Sequence, residues 1–287
     1  MFKEKNAQMG RKKTCMMIAA FGEKYQFYAP LHLYSIHKMC PDFHSLVFVS
    51  EKINPLAQQS LNFLRLQGCK FQIKRIDVPE SRLLRKIQRW FLYDEMLLDF
   101  DYAYMGDVDI LVMDKGKDIV TFHQNHMNLL ETCFSNIIRP VKPHCHRNTV
   151  PNRMSGLHFV DCNKYFPALA EVREKYYSKA LAGAYDRTSE IILHDMILDS
   201  GIKINRNIEY NKYGYRPHHG IHVALWRNNK KARKGFLQEE MEKKYKKYYE
   251  TFKNEFQDDA GFQFLLQKSS LEIQNEIIRM TNDLETW

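Results

Sequence analysis

Short apolar segments alternate with segments of helical periodicity over the first 113 residues, and this alternation constrains the fold more than any other feature. Apolar runs predict strands at residues 15–21, 45–49, 69–78, 102–105 and 110–113, and apolar residues at helical spacing predict helices at 27–39, 55–67 and 81–98. Strands separated by helices are typical of βαβ units, in which the strands are parallel. We therefore expect an α/β fold with a mostly parallel sheet flanked by helices.

The remainder of the chain has a weaker pattern. Residues 114–152 are predicted to form loops with one short helix, strands are predicted at 156–162 and 220–226, and a helix is predicted at 188–200. A basic segment of helical propensity follows residue 227, and a further helical pattern covers 261–284. We therefore divide the chain into a basic N-terminal tail (1–13), an α/β domain (14–227) and a helical C-terminal extension (228–287).

Most of the positive charge lies outside the predicted α/β domain. The formal net charge is +9, to which residues 1–13 contribute +4 and residues 227–253 contribute +6. The much longer body at 14–226 contributes only +4, and residues 254–287 contribute −5. This distribution argues against a nucleic-acid channel through the fold, so we expect no nucleic-acid partner. The basic, tyrosine-containing segment 228–253 is typical of a surface that binds anionic lipid, and an ordinary solvated helix has the same pattern.

Cysteine usage and hydropathy indicate the compartment. The six cysteines include no Cys-x-x-Cys pair, which is typical of reduced thiols inside a cell. No apolar run reaches the ~20 residues that a membrane-spanning helix needs. The apolar run at 15–21 is short and is followed directly by Gly22 and Glu23, unlike the core of a signal peptide. We therefore expect a cytoplasmic protein, with peripheral attachment to the cytoplasmic face of a membrane through its basic segment.

Two carboxylates, Asp107 and Asp109, directly follow a predicted strand. A second pair, Asp99 and Asp101, precedes that strand, so only the first pair lies at its carboxyl end, where open α/β sheets bind ligands. Carboxylate oxygens bind hard divalent cations, whose remaining positions take water and phosphate oxygens. Such a cation suits a reaction in which a diphosphate departs. An ordinary polar turn has the same spacing, and spacing alone leaves both interpretations open.

Around these aspartates the sequence resembles the GT-A glycosyltransferases, and most closely the family 8 retaining hexosyltransferases of bacterial lipopolysaccharide and capsule synthesis. In that family an arginine-bearing helix precedes the strand that ends in a metal-binding Asp-x-Asp, as Arg89 precedes residues 107–109 here. The segment 153–163 resembles the family's Asn-Ser-Gly strand, although Met154 stands where the family has asparagine. The resemblance covers about residues 14–227 and implies a GT-A, Rossmann-like fold for that part of the chain.

The resemblance also implies roles for individual residues. Nucleotide-sugar binding is implied for Ala20, Phe21, Gly22, Tyr25, Arg85, Arg89, Asp107, Val108, Ser155 and Gly156. A Mn²⁺ or Mg²⁺ ion is expected on Asp107, Asp109 and a late histidine, for which His222 is preferred over His218 and His219. The segment after residue 188 resembles the acidic helix of these enzymes. Family 8 favours His194 and Asp195 as catalytic residues on this helix, whereas family 6 favours Glu190.

These implied roles describe a metal-dependent hexosyltransferase. It would move a hexose from a nucleotide-sugar, with a UDP-sugar favoured, to a saccharide acceptor with retention of configuration. The expected acceptor is a lipid-linked glycan, a lipopolysaccharide or a capsule intermediate. Two alternatives stay open: a metal-dependent phosphoesterase or nuclease that uses Asp107 and Asp109, and a non-catalytic protein that binds membranes or nucleic acid through its basic tail. Several candidates are also residue types of ordinary cores and helix surfaces, namely Phe21, Tyr25, Arg85, Arg89, Glu190 and Asp195.

Overall fold

The structure, a computed structural model, alternates strands and helices through its first half. It describes residues 13–78, 82–140, 152–183, 189–204, 219–226 and 239–285. Its strands are β1 (Thr14–Ala20), β2 (His44–Val49), β3 (Phe71–Arg75), β4 (Tyr102–Met105), β5 (Ile110–Val112), β6 (Phe134–Ser135), β7 (Ile138–Pro140), β8 (Asn152–Met154), β9 (His158–Asp161) and β10 (Gly220–His222). Its helices are α1 (Glu23–Met39), α2 (Pro55–Leu66), α3 (Arg82–Ile87), α4 (Gly116–Leu130), α5 (Cys162–Leu181), α6 (Ser189–Asp199), α7 (Glu239–Phe252), α8 (Ala260–Gln267) and α9 (Leu271–Glu285).

Six of these strands form the main sheet, in the order β3-β2-β1-β4-β9-β6. β1 pairs in parallel with β2 and β4, and β2 pairs in parallel with β3. β9 is antiparallel to both β4 and β6. Two short ladders, β5 with β10 and β7 with β8, complete the pairing of the described strands. The predicted α/β fold, with a mostly parallel sheet flanked by helices, is confirmed.

Hydrophobic side chains pack against both faces of the sheet. Side chains of β1 alternate between two clusters, because successive residues of a strand point to opposite faces. Met16 and Ile18 belong to the cluster that contains the buried residues of α1 and α2, whereas Cys15 and Met17 belong to the cluster that contains those of α5 and α6. None of the helices in the described ranges is long and apolar enough to cross a membrane.

The C-terminal helices share the first of these clusters with α1. Their buried members are Tyr245, Tyr248, Phe252, Phe256, Phe262, Leu265, Ile273, Ile277, Met280 and Leu284. Polar contacts reinforce this packing, since the hydroxyl of Tyr34 on α1 donates to Asp259 at 2.6 Å and Nζ of Lys38 lies 2.8 Å from the same carboxylate. The predicted boundary at residue 227 thus coincides with a change in composition, but the described residues on its two sides share one core. The boundaries remain predictions, and residues 1–12 and 227–238 lie outside the described ranges.

The single long helix predicted at 81–98 is wrong. α3 ends at Ile87, and two 3₁₀ turns follow it at Gln88–Trp90 and Glu95–Asp99. Asp94 has an extended backbone, and its carboxylate accepts a hydrogen bond from the amide of Met96 at 3.1 Å. A carboxylate in this position caps a new helical turn and so interrupts the preceding one. Arg89 lies in the first of these 3₁₀ turns.

Two long helices are not evident from the sequence pattern. α4 is a 15-residue helix in the segment predicted as loops with one short helix, and α5 is a 20-residue helix where no element is predicted. The buried face of α4 contains His123 and His126 beside Ile119 and Met127. Polar residues on a buried face weaken the apolar periodicity by which a helix is detected.

Candidate metal and donor site

Asp107 and Asp109 lie at the carboxyl end of the central strand β4. β4 runs parallel to β1 and ends at Met105, so the residues that follow it lie at the same edge of the sheet as the loop after β1. Asp107 is partly exposed, whereas Asp109 is buried with 8% of its surface exposed. The two carboxylates therefore differ in their environment, and Asp107 is the more accessible to solvent.

The ladder between β5 and β10 brings His222 to Asp109. In the antiparallel register Ile110 pairs with His222, and the amide of Val223 donates to the carbonyl of Asp109 at 2.9 Å. Nε2 of His222 lies 3.0 Å from Oδ1 of Asp109. One side-chain ligand atom from each of Asp107, Asp109 and His222 lies within 4.8 Å of the other two.

Side chains of α1 hydrogen-bond the other edge of β5. Nδ1 of the buried His32 donates to the carbonyl of Ile110, and Oγ of Ser35 accepts from the amide of Val112 at 2.9 Å. Burial lowers the pKa of His32, although this backbone hydrogen bond and the charges of Asp109 and Asp107 act in the opposite direction. Both edges of β5 are therefore occupied. His32 and Ser35 are not among the predicted site residues, because the sequence does not show whether a polar residue of a helix hydrogen-bonds a distant strand.

Arg89 lies between carboxylates of two different elements. Its guanidinium forms an ion pair with Asp107, and its Nη2 atom lies 3.6 Å from Oε1 of Glu190 on α6. The guanidinium also lies over the ring of Trp90, 4.2 Å from the ring centroid. These contacts fix a positive charge beside the carboxylate pair and connect Glu190 to Asp107.

Gly156 places backbone directly against Arg89 and Asp107. Because β9 is antiparallel to β4 and begins beside Met105, the residues that precede β9 lie next to those that follow β4. A Cβ atom on Gly156 would lie 3.2 Å from Nη2 of Arg89 and 3.5 Å from Oδ2 of Asp107. Glycine therefore leaves the space that this arginine and aspartate require.

Asn136 organises the turn that contains Ser155. Its Oδ1 accepts hydrogen bonds from the amide of Ser155 at 2.9 Å, from Oγ of Ser155 at 2.6 Å and from the amide of Ile137 at 2.6 Å. Its Nδ2 donates to the carbonyl of Ser155 at 3.3 Å and contacts Nδ1 of His158 at 2.9 Å. Asn136 is fully buried. Asn136 is not among the predicted site residues, since nothing in the local sequence links it to a serine in a later segment.

The residues predicted at the end of β1 have mixed environments. Phe21 is buried in the second hydrophobic cluster, whereas Tyr25 is exposed, so only the tyrosine presents its ring to solvent. Gly22 has a φ of 92°, which glycine adopts without strain.

Arg85 lies close to Gly22, and its guanidinium pairs with the carboxylate of Glu51 at 3.3 Å. Ala20 and Val108 are buried. The predicted roles of these residues in donor binding remain predictions.

Among the three candidate catalytic residues on α6, Glu190 contacts Arg89, which is paired with Asp107. His194 is buried, and its Nδ1 atom lies 3.4 Å from Oδ1 of Asp195. Among the late histidines, His222 is the one grouped with the aspartates. His219 instead contacts Asp114 and His123, and His218 lies outside the described residues.

The donor set fits a divalent cation. Carboxylate oxygens suit Mg²⁺ and Mn²⁺, and an imidazole nitrogen extends the preference towards transition metals. Two carboxylates with one imidazole therefore fit Mn²⁺ better than Mg²⁺. Asp107, Asp109 and His222 would hold the ion.

No known protein-family model matches this chain, and no curated protein sequence matches it. Solved structures resemble it at low sequence identity. The galactosyltransferase LgtC in complex with donor and acceptor sugar analogues is 14% identical, with a TM-score of 0.41 over 63% of this chain and 69% of LgtC. The core-mannan synthase CmsA from Aspergillus fumigatus, in a Mn/GDP form, is 9% identical, with a TM-score of 0.44 over 67% of this chain and 71% of CmsA.

A 4-diphosphocytidyl-2C-methyl-D-erythritol synthase is also similar, at 9% identity and a TM-score of 0.41 over 68% of this chain and 87% of the synthase. Every one of these TM-scores is below 0.5. Similarity of this degree does not identify an activity, and the residues of the site have to support one.

Proposed function

We propose that this protein is a metal-dependent glycosyltransferase that transfers a hexose from a nucleotide-sugar to a saccharide acceptor. The observation that carries the proposal is the grouping of Asp107, Asp109 and His222 at the carboxyl end of a central parallel strand. Arg89 and the glycine turn at Gly156 adjoin this group. A cation-binding group beside a fixed arginine suits a substrate whose leaving group is a diphosphate.

The residues of the site have distinct tasks in this reaction. A divalent cation, when bound, neutralises charge on the departing diphosphate. Arg89 provides a further positive charge at the same place, held by Asp107 and Glu190. When a donor binds, a phosphate oxygen could replace the carboxylate of Asp107 or Glu190 as the hydrogen-bond acceptor of Arg89. Arg89 would keep a charge-assisted hydrogen bond, because a guanidinium binds carboxylates and phosphates with the same geometry.

The donor sugar would lie against the turn at Ser155 and Gly156. The amide and the hydroxyl of Ser155 are both held by Asn136, so the turn is rigid before a ligand arrives. Glu190 contacts Arg89, which adjoins Gly156 in this turn, and His194 and Asp195 lie further along the same helix. We assign Glu190, His194 and Asp195 to the sugar or the acceptor hydroxyl, with retention of the anomeric configuration and a UDP-sugar as the donor.

A titration tests this function directly. UDP, GDP and CMP are added to the protein with and without Mn²⁺ in isothermal calorimetry, and UDP-hexoses are then assayed for transfer. Mn²⁺-dependent binding of one nucleotide, followed by transfer of its sugar, supports the proposal. Release of inorganic phosphate or cleavage of nucleic acid would favour a phosphoesterase or nuclease. Absence of any nucleotide binding would favour a non-catalytic protein and would reject the proposal.

We also propose that the acceptor is presented at an anionic membrane surface on the cytoplasmic side. Lys243, Lys246 and Lys247 are exposed on one face of α7, which also contains the exposed Glu250. Tyr245 and Tyr248 on the same helix are buried in the core, so the aromatic part of the basic segment faces the protein. Attraction to anionic lipid would therefore come from the lysines, each of which contributes about 1 kcal/mol near such a surface.

Flotation with vesicles tests the membrane proposal without disturbing the core. Triple charge reversal of Lys243, Lys246 and Lys247 to Glu is compared with charge reversal of Lys164, Lys179 and Lys203, which are exposed on other elements. Vesicles that contain phosphatidylserine should bind the wild type and the variant with reversed charges at Lys164, Lys179 and Lys203. They should not bind the variant with reversed charges on α7. Equal binding of the two variants would reject this surface. Deletion of residues 228–253 is less informative, because it removes buried residues of the core.

A further inference from the structure

Buried polar side chains form a continuous chain of contacts from α7 towards α4. The hydroxyl of Tyr248 donates to Oδ2 of Asp114 at 2.7 Å, and Nδ1 of His219 lies 2.9 Å from the same oxygen. Tyr248 is fully buried and His219 is 5% exposed. The residue that precedes β10 is thereby linked through Asp114 to a helix of the C-terminal extension.

The contacts continue from His219 into α4. Nε2 of His219 lies 3.1 Å from Nε2 of His123. Oγ of Ser135 lies 2.7 Å from Nδ1 of His123 and 2.8 Å from Nδ1 of His126. The ring of His123 is also stacked on Phe159 of β9, with a centroid distance of 4.5 Å. We call the six residues from Tyr248 to His126 the buried polar chain: Tyr248, Asp114, His219, His123, Ser135 and His126.

One set of proton positions satisfies all these contacts when the histidines are neutral. A carboxylate only accepts hydrogen bonds, so His219 carries its proton on Nδ1 and accepts at Nε2. His123 then donates from Nε2 and accepts at Nδ1 from Ser135. His126 donates to the oxygen of Ser135. Each ring is therefore held in one orientation by the next member of the chain.

Asp114 anchors this arrangement as a carboxylate. Burial alone would raise its pKa, but the hydrogen bonds from His219 and Tyr248 and the positive charge of Lys244 lower the pKa below its ordinary value. The amide of Asp114 also donates to the carbonyl of His219 at 3.1 Å. Asp114 thus contacts both the side chain and the backbone of His219.

His219 has a backbone conformation that needs such support. Its φ is 59°, in the left-handed region that residues other than glycine adopt rarely. Its carbonyl accepts hydrogen bonds from Met113 at 2.8 Å and from Asp114. Gly220 follows, and a Cβ atom there would lie 1.9 Å from the carbonyl oxygen of Leu111. The turn at His219 therefore sets the close approach of β10 to β5, and His222 is the last residue of β10.

We propose that the buried polar chain positions His222 for cation binding, with Tyr248, Asp114 and His219 as positioning residues. This inference rests on the proposed function, because it takes Asp107, Asp109 and His222 as a cation site. It gives α7 a part in forming that site, although α7 lies far from it in sequence and outside the predicted α/β domain. Groups that hydrogen-bond a metal ligand directly change metal affinity by about 10–100-fold when they are lost. The three positioning residues act through the turn at His219 and the backbone of β10, so we expect an effect at the lower end of that range.

Two variants test the inference against one control. Tyr248→Phe removes one hydroxyl from the chain, and Asp114→Asn removes its carboxylate. Tyr34→Phe is the matched control, because Tyr34 also donates a buried hydroxyl to a carboxylate, that of Asp259. Mn²⁺ affinity is measured by electron paramagnetic resonance at a temperature where all variants are folded. We expect the Mn²⁺ Kd to rise about tenfold or more in Asp114→Asn, and several-fold in Tyr248→Phe. The Kd of Tyr34→Phe should match that of the wild type.

A second measurement needs no metal. Hydrogen exchange in metal-free protein follows the amides of Met113 and Val223, which hydrogen-bond His219 and Asp109 across the ladder. Tyr248→Phe should accelerate exchange at both amides relative to Tyr34→Phe. Wild-type protein that does not bind Mn²⁺ would contradict the proposed function. Wild-type protein that binds Mn²⁺, with unchanged Kd and unchanged exchange in Tyr248→Phe, would overturn this inference alone. If Asp114→Asn does not fold, Tyr248→Phe decides the result.

Discussion

Nε2 of His222 lies 3.0 Å from Oδ1 of Asp109, although the two residues are far apart in the sequence. The contact is a direct result of register, since His222 pairs with Ile110 and so lies beside the preceding residue, Asp109. Asp109 belongs to β4's carboxyl end and His222 belongs to a late segment of the chain. A cation bound between them would join these two parts of the fold.

Asp109→Asn should abolish metal-dependent donor binding while the protein stays folded. The substitution keeps the shape of the side chain but removes the charge that a divalent cation requires. We expect Mn²⁺ affinity to fall by at least about 100-fold, beyond the range for residues that only orient a ligand. Calorimetry with Mn²⁺ measures the change. Asp101→Asn is the control, because Asp101 lies at the opposite end of β4 and accepts a hydrogen bond from the amide of Lys13. Transfer that persists at the wild-type rate in Asp109→Asn would contradict the proposed site.

Gly220→Ala should destabilise the protein and weaken cation binding together. Its Cβ atom would lie 1.9 Å from the carbonyl oxygen of Leu111, so the β5–β10 ladder has to separate. Gly201→Ala is the control, because Gly201 has a φ of 75° and nothing within 4 Å of a Cβ atom. Backbone strain should cost Gly201→Ala about 1 kcal/mol, without an effect on Mn²⁺ affinity. Equal Mn²⁺ affinities in the two variants would show that the ladder does not set the position of His222.

Asn136→Ala should weaken the binding of a nucleotide-sugar more than the binding of Mn²⁺. The substitution removes the Oδ1 atom that accepts from the amide and the hydroxyl of Ser155 and from the amide of Ile137, at about 0.5–1.5 kcal/mol for each lost hydrogen bond. Ser155 keeps the carbonyls of Ile137 and Leu157 as acceptors, so the turn loosens without losing all of its hydrogen bonds. The turn at Gly156 then loses its rigid support, whereas Asp107 and Asp109 keep their positions. Calorimetry compares the Kd of a UDP-sugar with that of Mn²⁺, and Asn128→Ala on the exposed face of α4 is the control. Parallel losses of both affinities would argue against a separate role for Asn136.

His32 should make the folded state sensitive to mild acid. Burial lowers its pKa in the folded protein, whereas the unfolded chain has an ordinary value of about 6.5. Below that value the unfolded state binds a proton that the folded state does not bind. The free energy of unfolding therefore falls as the pH decreases from about 7 to 5, with a slope of up to about 1.4 kcal/mol per pH unit from this residue.

Urea unfolding of the wild type and His32→Gln at pH 7 and at pH 5 measures this contribution. The wild type should lose more stability than the variant between the two pH values, and all other titrating groups cancel in the comparison. An equal loss in both proteins would show that folding does not lower the pKa of His32.

The first half of the fold is predictable because its signals are local. β1, α1, β2 and α2 each have a continuous apolar run or a helical period, and each begins within a few residues of its predicted position. The helix predicted at 81–98 fails because the capping carboxylate of Asp94 interrupts it. The strand predicted at 220–226 ends at His222, since the 3₁₀ turn Val223–Trp226 follows. The apolar residues of the segment 220–226 indicate that it is buried, but they do not distinguish a strand from a 3₁₀ turn.

The candidate site divides along similar lines. Asp107 and Asp109 stand out in the sequence because they follow a strand, and His222 is the late histidine that the structure groups with them. Their role as metal ligands stays a prediction. Asn136, His32 and Ser35 are not recognisable, because each acts through hydrogen bonds to residues of another element. The contacts of the C-terminal helices with α1 are also hidden, since composition separates those helices from the remainder of the chain. Hydrogen bonds between distant segments, and a core shared by them, cannot be predicted from the sequence alone.

The late position of β10 and α7 in the chain has a consequence for biosynthesis. Chains emerge from the ribosome N-terminus first, so β5 is made well before the residues that pair with one of its edges. A nascent chain that ends before β10 contains Asp107 and Asp109 but lacks His222, and one that ends before α7 lacks the hydroxyl of Tyr248 that contacts Asp114. A central sheet that folds before β10 is made would do so without the complete group of candidate ligands. That group is complete only once β10 has been made, and its support from Tyr248 is present only once α7 has been made, so the assembly of the candidate site follows the order of synthesis.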